Sequence, residues 1–134
     1  MLLIFLAGIT ASAQPSNTAA EKNVLVLYDE QTVLPGLAIL DRSLRLTLGS
    51  DTSLKVNVYS ESMDLSRFQE AGYDQFLRYY YQQKYSKKKL DSVIAVLGPS
   101  LDFGLAHMQE IAPGTPLVFC GVDRREIEQL SLSS

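Results

Sequence analysis

Four stretches of this chain set polar, potentially reactive residues directly after apolar runs: Tyr28-Asp29-Glu30, Ser60-Glu61-Ser62, Gly98-Pro99-Ser100 and Gly121-Val122-Asp123. Each can be held against a chemistry. A phosphoacceptor site wants acidic residues after the first run, which Asp29 and Glu30 supply. It also needs an aspartate at the end of the third run, where the chain has Leu97-Gly98-Pro99. A nucleotide site needs glycines that let backbone N–H groups approach phosphates, and "YDEQTVLPG" has neither G-x-G-x-x-G nor a Walker A pattern. Acyl transfer needs a nucleophile next to a base. The single histidine, His107, falls mid-helix, away from these loops, and is expected on the helix surface; Ser100 has no evident base. One His and one Cys cannot build a zinc site without several well-placed carboxylates. The expectation is therefore no catalysis, no metal and no cofactor.

What remains is binding. Gly98-Pro99-Ser100 leads directly into a helical segment, whose free backbone N–H groups and positive dipole end suit a carboxylate or carbonyl of a small ligand. The same residues equally describe an ordinary capped helix start, with Ser100 as the cap.

Such loops need elements to hold them. "NVLVLY" (Asn23 to Tyr28) is a continuous apolar run typical of a strand covered on both faces. Leu37, Leu40, Leu44 and Leu48 recur at helical spacing, and Gly49 ends that helix. Ser53 to Ser60 is β-branched and alternating, a second strand. A long helix is expected from about Tyr73 to Lys88, with Tyr73, Phe76, Leu77, Tyr80 and Tyr81 as its core-facing stripe. "DSVIAVLG" is a third strand. "SLDFGLAHMQEI" is a third helix, with Leu101, Leu105, Met108 and Ile111 toward the sheet. "PLVFCG" is a fourth strand, and Asp123 is placed to cap a fourth helix. The order β-α-β-α-β-α-β-α predicts an α/β fold, a doubly wound parallel sheet in the order 2-1-3-4. In such sheets ligands bind beyond the carboxyl ends of the strands. Tyr28, Asp29, Ser60, Glu61, Gly98, Ser100 and Asp123 are the expected ligand-binding residues, Gly98 through close backbone approach.

The chain of 134 residues suffices for one domain, and 46% hydrophobic with 20% charged residues is a globular profile. A net charge of −3 offers no footprint for nucleic acid, and Lys87-Lys88-Lys89 reads as a solvated helix end. Cys120 is the lone cysteine, so no intramolecular disulfide can form. It is expected as a small buried hydrophobe.

The first thirteen residues differ. "LLIFLAGI" followed by "ASA" fits a secretory signal peptide cleaved after Ala13, although no Lys or Arg precedes the apolar run. The run is too short to span a membrane. Residues 14–22 then read as a flexible lead-in and 23–134 as one lobe of a larger ligand-binding domain.

Several linked segments carry a resemblance. "VLVLYDE", "YSESMDLSRF", "KYSKKKLDSVIAVLGPSLDFGL" and "PLVFCGVD" together resemble the first lobe of the ABC-transporter substrate-binding-like sensor domains, over about Asn23 to Leu130. Family members often have an acidic pair after the third strand, where this chain has Gly98-Pro99. The resemblance implies a Rossmann-like lobe of a type I periplasmic binding protein, exported to the periplasm, its parent anchored in the inner membrane. It implies a small-molecule ligand closed between this lobe and a second one, and output through a downstream membrane or kinase module, as in two-component sensor histidine kinases. The alternative is the solute-binding component of an ABC transporter, with a permease as partner. Within "MDLSRF", Asp64 and Arg67 are expected to fix the loop before the long helix.

Overall fold

The apolar run of the first strand is uninterrupted because both of its faces are buried. The computed structural model describes residues 20–132, and β1 spans Ala20–Tyr28. Val24, Val26 and Tyr28 point to one face, and Leu25 and Leu27 to the other; all five are buried. Each such side chain contributes about 1.5–3 kcal/mol by leaving water. The chain continues through α1 (Pro35–Leu48), β2 (Leu54–Ser62), α2 (Tyr73–Tyr85), β3 (Ser92–Val96), α3 (Gly98–Ile111), β4 (Leu117–Cys120) and α4 (Arg124–Leu132). The four strands form one all-parallel sheet in the order β2-β1-β3-β4, as the sequence predicts.

Two apolar layers sandwich the sheet. On one face Leu37, Leu40, Leu44 and Leu48 of α1 pack over Val24, Val26 and Tyr28. On the other, Leu77, Tyr81 and Tyr85 of α2 join Phe103, Met108 and Ile111 of α3 over Leu25, Leu27 and Val93. The register brings Tyr28 beside both Ser62 and Val96, and Val96 beside Cys120. The four carboxyl ends therefore share one edge.

Several boundaries and faces differ from expectation. The signal segment, residues 1–13, lies outside the described residues, as does the lead-in up to residue 19. Ala20, Glu21 and Lys22 of that lead-in are strand, because they pair with Leu54, Lys55 and Val56. α2 stops at Tyr85, short of Lys88, and its buried stripe is Leu77, Tyr81 and Tyr85. Phe76 and Tyr80 are exposed at 61% and 45% and stack on each other across one helical turn. Five aromatic residues in nine positions cannot all face one neighbour, and α3 selects which do. On α3, Leu105 points to solvent, while Phe103 and His107 take the buried positions expected of it. The lone Cys120 is only half-buried, and its sulfur side packs with the α1-facing layer.

Candidate functional site

The strand ends supply seven expected ligand residues, and the fold divides them. Tyr28 is fully buried; its hydroxyl donates to Asp41 Oδ1 at 2.8 Å. Arg45 Nε donates to Asp41 Oδ2 at 2.9 Å and its second guanidinium nitrogen donates to Ser60 Oγ at 2.6 Å. Tyr28 and Ser60 thus end one chain of hydrogen bonds through α1. Burial, and then the bond to Asp41, push the Tyr28 hydroxyl well above the usual tyrosine value. Burial alone would raise Asp41, but the bonds from Arg45 and Tyr28 outweigh it and hold its carboxyl below the ordinary range.

Glu61 faces the opposite way. Ser60 and Glu61 lie within β2 rather than in a loop, and successive strand side chains alternate between faces. Glu61 accepts from Lys84 Nζ and from the Tyr85 hydroxyl, both on α2. Ser60 and Glu61 therefore point to opposite faces of the sheet, and neither lines the cavities described below.

Asp29 is 3% exposed and is a lock between loops. Its carboxylate accepts from the Ser66 backbone N–H at 3.0 Å and from the Ser66 hydroxyl. Its carbonyl accepts from the Asp64 N–H, and the Tyr28 carbonyl accepts from the Met63 N–H. The "YDE" and "MDLSRF" segments are thereby one structural unit. Asp64 sits at φ 52°, with its carbonyl accepting from the Arg67 and Phe68 N–H groups. Its Oδ1 is buried without a hydrogen bond, with Arg67 3.7 Å away. A small cavity of about 190 Å³ opens beside it, lined in part by Glu30, Asp64 and Arg67.

The head of α3 is the remaining candidate. Leu97 links β3 to α3 at φ 71°, a region non-glycine residues rarely occupy, at a cost of order 1–3 kcal/mol. Its N–H donates to the Cys120 carbonyl at 3.0 Å, which holds the turn. Leu97, rather than Ser100, precedes the helix, and no side chain caps it. Ser100 lies inside the first turn, fully buried, with its hydroxyl unpartnered and lining neither of the cavities around it. Ser100, expected as a ligand contact, is thus placed in the interior, behind the walls of both cavities.

Gly98 faces Glu126 of α4 across the head of α3. A Cβ there would stand 2.7 Å from Glu126 Oε2, so the glycine leaves room for the Glu126 carboxylate against the α3 terminus. Gly121, at φ 71°, turns the chain out of β4. Asp123 then caps α4: its Oδ1 accepts from the Arg125 N–H at 2.8 Å and its carbonyl from the Glu126 N–H. Between the heads of α3 and α4 lies a cavity of about 380 Å³, lined by Gly98, Leu101, Asp102, Val122, Glu126 and Gln129 together with Pro99. Of the seven expected residues only Gly98 lines it. Asp123 acts by placing Glu126 and Gln129.

Residues that loop-based reasoning missed lie one helical turn inward. Asp102 follows Gly98 by four positions and Gln129 follows Glu126 by three, spacings that put each pair on one helix face. His107, expected on the surface, is 7% exposed; its ring lies 4.9 Å from that of Phe103 and its Nε2 is 3.4 Å from Asp74 Oδ2. Among the described residues no group of three or more His, Cys, Asp or Glu side chains is arranged to hold a metal, and no helix is long and apolar enough to cross a membrane. Compared with known proteins, the chain matches no family model, no curated protein and no solved structure.

Proposed function

We propose that this chain is a ligand-binding lobe that takes a small molecule against the heads of α3 and α4, and that it serves as the extracytoplasmic input module of a sensor histidine kinase. The observation that carries the binding reading is the cavity of about 380 Å³ at the carboxyl edge of a parallel sheet, where such folds hold ligands. The strained turn at Leu97 lies at the same edge. The sensor role is supported by the resemblance of the "VLVLYDE", "MDLSRF" and "PLVFCGVD" segments, two of which the Asp29–Ser66 bonds join. A second lobe would supply the opposite wall, since sites of this kind cover about 70–90% of a ligand's surface. The apolar β4 edge, with Val118 and Phe119 half-exposed, fits packing against further protein.

The test is a thermal-shift screen of small metabolites on the full chain, beside Val122→Trp, which fills the cavity from its rim. Hits that stabilise the wild type and leave the variant unmoved support the reading. Hits that shift both equally, or a screen without hits, refute it. The sensing role is checked by whether a hit changes autophosphorylation of a histidine kinase carrying this lobe as its input domain.

A further inference from the structure

A second cavity, of about 340 Å³, opens on the other side of the α3 head, between α2, α3 and the Leu65 loop. It shares Pro99 and Asp102 with the cavity facing α4, so the two flank the first turns of one helix. Its walls divide by chemistry. Leu65, Phe103 and Ala106 are apolar; Asp74, Asp102 and His107 are polar. His107 is buried and turned into the cavity, with Asp74 Oδ2 3.4 Å from its Nε2 as its partner and, among the described residues, no hydrogen bond to either ring nitrogen. The Asp102 side chain is exposed and has no ion-pair or hydrogen-bond partner among the described residues.

Charge decides what fits. Asp74, Asp102 and Glu126 line the paired cavities, and no lysine or arginine lines either one. The α3 terminus opposes them with about half a positive charge, and that field fades within the first turn. Asp74 and Asp102, the two carboxylates that line this cavity, outweigh it there, and a ligand carboxylate, suited to the terminus in isolation, would meet like charge.

We infer that the cavity between α2 and α3 binds a small organic cation, its ammonium between Asp74 and Asp102 within reach of His107, its apolar body against Leu65, Phe103 and Ala106. This site lies across the α3 head from the cavity of the binding reading above and goes beyond that reading. The volume of about 340 Å³ is enough for a compact amine. The Phe103 ring adds an aromatic surface on which a cation is favoured when partly desolvated.

Three isosteric probes test the class: cyclohexylamine, cyclohexanol and cyclohexanecarboxylate, titrated into the full chain with amide and imidazole resonances followed by NMR. The amine should move the His107 ring and the Phe103 and Ala106 amides, with the alcohol and the carboxylate weaker. Asp102→Asn and Asp74→Asn should each weaken the amine by about fivefold, the worth of one partly exposed ion pair. Ala106→Trp, at an exposed helix position, should abolish the shifts without altering the rest of the spectrum. If the alcohol or carboxylate binds the same residues as well as the amine, or if both carboxylate variants bind like wild type, the cation assignment falls while the cleft remains a binding site. If no probe perturbs the residues that line the α2–α3 cavity, the cation site is overturned, while the reading of the α3–α4 cavity is decided by its own screen.

Discussion

Replacing Asp29 by alanine should destabilise the protein rather than weaken ligand binding alone. The carboxylate is 3% exposed and accepts two hydrogen bonds from Ser66, one from the backbone N–H at 3.0 Å and one from the hydroxyl. Hydrogen bonds to a charged group contribute about 1.5–3 kcal/mol each, and the two run from one residue to the two oxygens of one carboxylate, so they do not add fully. Ser66 is itself solvent-exposed, so water recovers part of what its donors lose. The net expectation is a loss of about 2–4 kcal/mol. Asp29→Asn keeps one carbonyl acceptor for the backbone N–H and should lose about half as much. Both variants and the wild type are compared by urea denaturation at neutral pH, with the slope of the transition as a check that the unfolded states match. A ligand contact would behave differently: stability near wild type, with the loss confined to ligand-dependent stabilisation. An Asp29→Ala variant within about 0.5 kcal/mol of wild type, the scale of an ordinary surface change, would refute the lock.

Tyr28→Phe removes one hydroxyl from a fully buried ring and leaves its volume intact, so it should cost about 1.5–3 kcal/mol through the lost bond to the Asp41 carboxylate. Chemical denaturation measures it, and a neutral result would mean that Arg45 alone holds Asp41. Alkaline pH should unfold the protein through its buried tyrosines. Tyr28, Tyr81 and Tyr85 are all raised above their ordinary value, chiefly by burial, with Asp41 or Glu61 adding to it. A raised folded value means that these groups' contribution is intact below about pH 10, where unfolded tyrosine begins to ionise, and declines as pH rises above it. Phenolate absorbance from these rings should therefore appear together with the loss of far-UV circular dichroism; ionisation of all seven tyrosines near pH 10 with the fold intact would contradict it.

The sequence alone determined the architecture, because the signals involved are local and repeated. Uninterrupted apolar runs such as "NVLVLY" require cover on both faces, leucines at helical spacing supply it, and strict alternation of the two leaves a parallel sheet with few possible orders. The same periodicity placed Leu37, Leu77, Tyr81 and Met108 in the core. It could not say which polar side chains at the strand ends remain free. That depends on partners distant in sequence: Ser66 for Asp29, Asp41 for Tyr28, Lys84 and Tyr85 for Glu61, Asp74 for His107. Nor could helical spacing choose among the aromatics of α2, since packing against α3 buries Tyr81 and leaves Phe76 and Tyr80 in water. A buried hydrogen bond or a filled groove is a property of two surfaces meeting. The chain order fixes each surface, and only the tertiary structure brings them together.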